Sequence, residues 1–436
     1  MVLATLPILA SHVDLSFGEN VKKIKPTAPT REVGYWDFLD ERIYVYPLTE
    51  DEQAYAMLAR NALAGKGFSV DNGWFIVPRE KPTSYWNCCY PLFVTACFGL
   101  LGEHLLAIWL IQILMSAASC FLIWRLAGML FSEKAAWLGY GAAVIYPPYV
   151  LNSIWMMTEA LAVPLVITCL YFVYRGLVSA KARDFVFAGL ALGAAALTRS
   201  TAFYYLIFLA VGIWVAGASV RRRLRVKYVA TLAAATFAVI LPWTFRNWRV
   251  HHAFMLIDTK VGVNLWMFNN PNQVLGYKVQ NSDMPLLEFR PDATEVEMDR
   301  AYFKLGKDYV RSHKAQFLKT FGIKALLALN PIPKQAHSGK MKLVALLTAG
   351  WLLILAPVGI FASRKRWREL MPLYLLIGYW ILIQAGSAAG MRYRMPAEVA
   401  WILLAAAGAV AILAVTRRVL VKKMKLRSSA GAVRVT

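Results

Sequence analysis

The residues of this chain that could do chemistry fall into two groups. Acids stand where helices begin: Glu50-Asp51-Glu52 opens one helical run, and Glu159 follows Thr158 at the head of an apolar stretch. A carboxylate so placed can take a proton from a hydroxyl within hydrogen-bond reach. It can equally cap the helix or favour its positive dipole end, and Thr49 with Glu52 has capping-box spacing, so both readings stand. The second group is four arginines, Arg199, Arg246, Arg392 and Arg394, at the ends of apolar runs. A guanidinium offers a fork of donors that suits an anion such as phosphate, and it also snorkels to anchor a helix at an interface. His251-His252 lacks a third ligand and reads as a solvated loop. Five cysteines without metal-type spacing give neither a disulfide framework nor a zinc site, and Cys88-Cys89 reads as free thiols. The sequence requires no metal and leaves the part of a divalent metal, or any other cofactor, open.

The elements that must position these groups are membrane helices. Of the 436 residues 58% are apolar or aromatic and 17% charged, and the mean hydropathy is +0.48, a balance that excludes an ordinary soluble domain. The net charge of +23 would suit nucleic acid, but its cations gather in short clusters between apolar runs of bilayer-spanning length. Such runs occupy 105–131, 134–153, 155–178, 183–198, 201–220, 227–245, 342–363, 369–388 and 395–416. Every second junction is basic: Arg175 to Arg183, Arg221 to Lys227, Arg364 to Arg368 and Arg417 to Lys425. The positive-inside rule makes these the cytoplasmic ends and the basic tail, 417–436, cytoplasmic. The alternate junctions, which hold Glu159 and the four arginines, face outward against that trend.

The expected organisation is an outer head at 1–104, a transmembrane core of about six helices at 105–245, an outer loop at 246–341 and about three more helices at 342–416. The loop carries an amphipathic stretch over 299–329 that suits a membrane surface. In the head, Tyr55, Leu58, Ala59, Ala62 and Leu63 lie on one helical face, and Gly65 and Gly67 end the run. Pro82 and Pro91 bracket a segment too interrupted for a long helix. Met1 to Ala10 is too short to span, so a first transmembrane helix is expected to be missing upstream. Trp155, Trp243, Trp248 and Trp266 read as an interfacial aromatic belt rather than a sugar platform.

The order of short motifs resembles the GT-C glycosyltransferases, close to bacterial relatives of the protein O-mannosyltransferases and the lipid A aminoarabinose transferase. Carrying the resemblance are Asp51-Glu52-Gln53-Ala54-Tyr55, Tyr90-Pro91-Leu92-Phe93, Thr158-Glu159, Gly189 to Gly193 leading to Leu197-Thr198-Arg199, Pro242-Trp243 with Arg246-Asn247, Gly262, Asn264, Asn269-Asn270 and Arg392 to Pro396. It implies an all-α polytopic membrane protein, a GT-C-like transmembrane bundle whose extracytoplasmic loops carry short interfacial helices. It further implies transfer of a sugar from a polyprenyl-phosphate donor to a glycan, lipid or protein acceptor outside the cell's inner membrane. By that resemblance Asp51 is the general base and Glu159 a second site acid. Tyr55, Arg199, Arg246, Asn247, Arg392, Tyr393 and Arg394 would hold the donor phosphate. One departure concerns Ser84 to Cys89, where relatives carry a basic residue ahead of the proline motif. The partners expected are donor, acceptor and lipid bilayer, with no nucleic acid. The rival class, a lipid or solute transporter or flippase, would place ionisable residues at mid-membrane and show two related halves, and neither feature is seen.

Overall fold

The computed structural model describes residues 50–72, 76–271, 293–332 and 339–432. The expected upstream helix and the Thr49 cap therefore lie outside the described residues. The head contributes α1 (Glu50–Leu63) and α2 (Cys89–Leu101). Next come α3 (Leu105–Leu130), α4 (Glu133–Ile145), α5 (Pro147–Asn152), α6 (Glu159–Ser179), α7 (Ala182–Thr198), α8 (Thr201–Ala216) and α9 (Arg222–His251). The loop region holds α10 (Val261–Phe268), α11 (Glu295–Ser312) and α12 (Lys314–Leu329). The chain returns through α13 (Gly339–Ala345), a π-helical turn, α14 (Trp351–Ala362), α15 (Met371–Gly386), the single turn α16 (Met391–Arg394) and α17 (Glu398–Ala432).

Among the described residues five helical stretches are long and apolar enough to cross a membrane: Leu105–Leu130, Glu159–Ser179, Arg222–His251, Lys342–Ala362 and Met391–Met424. Leu114, Phe121, Ile207, Leu241, Phe245 and Ile354 stay exposed on the bundle, and in a multi-pass membrane protein that surface meets hydrocarbon rather than water. Two expected elements differ. The run at 134–153 is broken, because Pro147 denies Tyr146 the helical region and holds it extended at φ −68°, ψ 111°; α4 stops there and α5 is a six-residue piece. The amphipathic stretch is two helices that part at His313, the first starting at Glu295 behind a capping box of Thr294 and Glu297.

The bundle has two unlike ends. At one, where the basic junctions lie, Arg366 Nη1 donates to Leu130 O, Tyr228 Oη to Ala180 O and Arg225 Nη1 to Trp214 O. At the other, Gln112 Nε2 donates to the carbonyls of Ser153 and Trp155. Between them α7 packs on α9 nearly backbone to backbone. A Cβ on Gly189 would lie 2.4 Å from Leu232 O, and one on Gly193 would lie 2.7 Å from Thr236 O. Glycines four apart present one bare face, which lets apolar helices close where no water drives them together.

Candidate functional site

The first turn of α1, the first residue of α6, the α7–α8 junction and the single turn α16 converge at the end opposite the basic clusters. Glu159 is their centre. Arg199 Nη1 donates to its Oε1 and, at 3.1 Å, to Thr158 Oγ1. Arg392 Nε donates to the same Oε1 at 2.7 Å, while its Nη2 reaches Asp51 Oδ2 at 3.4 Å. Side-chain exposure separates the two acids: Glu159 has 0%, Arg199 18%, Arg392 37% and Asp51 42%. An enclosed carboxylate shared by two guanidinium groups holds those groups in place. A half-open one can meet a substrate.

Neighbouring residues divide the same way. Glu52 sits one residue, about 100° of helix, beyond Asp51; it is buried, and its Oε1 accepts from Met156 N at 2.9 Å. That bond ties α1 to the loop before Glu159. Tyr55, one turn past Asp51, is buried edge-on to Tyr90 with ring centroids 5.1 Å apart. Burial raises its phenol well above the ordinary range, the Asp51 charge adding to the effect and Arg392 opposing it. Tyr393 lies under Arg199, whose Cζ is 5.5 Å from the ring centroid.

The structure brings together Asp51, Tyr55, Glu159, Arg199, Arg392 and Tyr393 of the expected residues, and it turns three others elsewhere. Arg394 is buried, with Nε on Glu398 Oε1 and Nη1 on Ala328 O at 3.0 Å. Its Nε and Nη1 are thus engaged within the bundle, on Glu398 and Ala328, rather than on the Glu159 cluster. Arg246 and Asn247 also differ, because α9 runs on to His251 rather than ending near 245. Asn247 is wholly buried, taking Ser84 Oγ on its Oδ1 at 2.7 Å and giving Nδ2 to Ile257 O at 3.0 Å. Arg246 Nη1 donates to Thr83 O at 2.8 Å and Ser84 Oγ at 2.9 Å, with its Cζ 4.6 Å from the Trp243 ring centroid. Both therefore staple the 83–84 loop to α9. His251, expected in a solvated loop, is part-buried in the last turn of α9, with its Nε2 2.9 Å from the same Ser84 Oγ. Among the described residues no group of three metal-ligating side chains comes together.

One cation of the site went unforeseen. Lys260 precedes α10, with its Nζ 5.2 Å from the Tyr85 ring centroid. Burial lowers its ammonium below the ordinary range, while the charges of Asp258 and Asp51 act in the opposite direction. Asp299 holds α10 in place by accepting from Gly262 N at 2.8 Å and Val263 N at 3.0 Å, and burial raises its carboxyl to about 6. Lys260 is one of nine lysines between residues 246 and 341, so nothing in the sequence singled it out.

The helical fold has known counterparts among solved structures. The archaeal oligosaccharyltransferase AglB from Archaeoglobus fulgidus, in complex with an inhibitory peptide and a dolichol-phosphate, aligns with a TM-score of 0.53 at 13% identity, covering 86% of this chain and 48% of that one. Its apo form aligns with a TM-score of 0.53 at 11% identity, covering 85% and 48%. The chain has the GT-C fold. It spans about half the length of those oligosaccharyltransferase chains. ArnT from Cupriavidus metallidurans bound to undecaprenyl phosphate aligns with a TM-score of 0.41 at 14% identity, covering 84% of this chain and 74% of that one. Residues 88–245 match the family described as dolichyl-phosphate-mannose-protein mannosyltransferase. That matched region of the GT-C bundle includes Glu159 and Arg199 and ends just before Arg246. Comparison with curated proteins gives no match.

Proposed function

We propose that the protein is a membrane glycosyltransferase that moves a sugar from a polyprenyl-phosphate carrier to the hydroxyl of a glycan, lipid or protein acceptor. The observation that carries this reading is the pairing of a half-open Asp51 with Arg392, itself held by the buried Glu159, at one mouth of a GT-C bundle. Dolichol-phosphate in the AglB complex agrees with the donor class. The mouth lies opposite the basic junctions, so the positive-inside rule puts it outside the inner membrane and the C-terminus in the cytoplasm.

In this mechanism Asp51 accepts the proton of the acceptor hydroxyl as its oxygen attacks the anomeric carbon. A glycosidic C–O bond forms, the bond from that carbon to the phosphate oxygen breaks, and the polyprenyl phosphate leaves with the electron pair. Negative charge growing on the phosphate is met by fixed donors, which stabilise it most in a site poor in water. Arg392 and Arg199 are oriented for this by Glu159, whose role is to position them rather than to transfer a proton.

The deciding experiment is Asp51→Asn, assayed by transfer from a synthetic polyprenyl-phosphate sugar with purified protein. The amide leaves a half-exposed position without its 3.4 Å ion pair, an exchange worth about 1 kcal/mol or less, so thermal unfolding stays where it was. Turnover falls by about two to four orders of magnitude. Wild-type turnover in this variant would remove Asp51 as the base.

A further inference from the structure

The charges at the mouth leave one cation uncommitted. Arg199 and Arg392 share Glu159, and Arg392 also reaches Asp51. Lys260 forms no ion pair among the described residues, and its ammonium rests on the face of Tyr85. The nearest acid in the chain, Asp258, is buried and takes Asn87 Nδ2 on its Oδ2 at 3.2 Å.

Both halves of this contact are fixed from behind by one buried carboxylate. Glu295 accepts from Thr83 Oγ1 at 2.6 Å, from Ser84 N at 3.0 Å and from Thr259 Oγ1. Thr259 N also donates to Ser84 O at 3.2 Å, and Tyr85 N to Thr83 Oγ1 at 3.0 Å. The residues just before Tyr85 and just before Lys260 are thus clasped together. A part-buried ammonium held over an aromatic ring, with no counter-ion in contact among the described residues, is a seat for an anion. We propose that Lys260, steadied by Tyr85, binds the phosphate of the polyprenyl carrier, supplying from the α10 loop the cation that Ser84 to Cys89 lacks. This rests on the donor class proposed above and adds the residue that grips its headgroup.

Two measurements test it, with undecaprenyl phosphate as the probe and undecaprenol as its uncharged control. In the wild-type protein, saturating undecaprenyl phosphate slows acylation of the Lys260 amine at least about fivefold by mass spectrometry, while undecaprenol and inorganic phosphate leave it unchanged. Lys260→Met raises the Kd for undecaprenyl phosphate by about ten- to a hundredfold, as for a lost charge-assisted contact, and leaves undecaprenol binding unaltered; Lys260→Arg stays within about threefold of wild type. Labelling that the lipid phosphate does not slow, protection by inorganic phosphate alone, or an unchanged Kd in the Met variant would overturn the assignment while the donor class stands. A wild-type protein that binds undecaprenyl phosphate no better than undecaprenol would overturn both.

Discussion

Replacing Glu159 by Gln asks whether the buried carboxylate holds the mouth together. The side chain is fully enclosed and shares one oxygen between Arg199 and Arg392. At about 4 Å and an effective dielectric of about 20, each pair contributes roughly 4 kcal/mol of attraction. Desolvation of the three ions offsets most of this, so removing one partner of such a buried set costs about 3–5 kcal/mol. Glutamine still accepts one donor, which places the expected loss at about 3 kcal/mol and, at the entropy of unfolding of a chain this long, the unfolding midpoint about 3 °C lower. Activity falls further than stability. Arg392, released from Glu159, closes on Asp51 and engages the carboxylate that must take the proton, so turnover drops at least about tenfold at temperatures where the variant is folded. Glu159→Asp, one methylene shorter, reaches one guanidinium rather than two and gives intermediate values. The assay is transfer from a polyprenyl-phosphate sugar, with differential scanning fluorimetry on the same sample. A Gln variant that unfolds within about 1 °C of wild type and transfers at the same rate would show that the two arginines need no buried anchor.

The two arginines of α16 should separate cleanly. Arg392→Lys keeps the charge but loses the fork that spans Glu159 and Asp51, so turnover falls about ten- to a thousandfold with modest destabilisation; Arg394→Lys keeps a charge beside Glu398 but loses the fork that also reaches Ala328 O, lowering the yield of folded protein while kcat per folded molecule holds. Equal kcat losses in both would place Arg394 in the site after all. For orientation, reporter fusions after Arg225 and Arg368 read cytoplasmic and those at Asn270 and Gly390 read external; a cytoplasmic Asn270 fusion would put the mouth on the wrong side for a lipid-linked donor made available outside.

Much of the site was legible because its acids and arginines stand at junctions, where chain order and helix length fix the end of the bundle they occupy. The misreadings have local causes. Arg392 and Arg394 looked equivalent, but residues two apart on one helical turn point about 200° apart; when one enters the mouth the other faces the bundle, where Glu398, four residues on, takes it. Arg246 and Asn247 were expected just past the end of a helix, but the helix does not end there, and its last turns gather the carbonyl of Ile257 and the 83–84 loop. Pro147 broke a run whose hydropathy alone reads as continuous. Lys260 was hidden for another reason: its place is set by Glu295 joining residues more than two hundred positions apart, and no local pattern encodes such a clasp.

The glycine seam between α7 and α9 gives the mouth a dependence on a region with no chemistry of its own. Arg199 follows directly on α7, six residues and about 9 Å of helix beyond Gly193. A methyl at Gly193 or Gly189 would sit about 1 Å too close to the backbone of α9, and the helices would have to part by about that much. Displacements of 1 Å at reacting groups can cost about a hundredfold in rate. Glycine-to-alanine exchange, ordinarily a stabilising step in helices, would here cost both packing and rate from inside the hydrocarbon layer. Directed evolution of a more robust variant has reason to leave these two positions untouched and to look for its gains on the lipid-facing sides of the same helices.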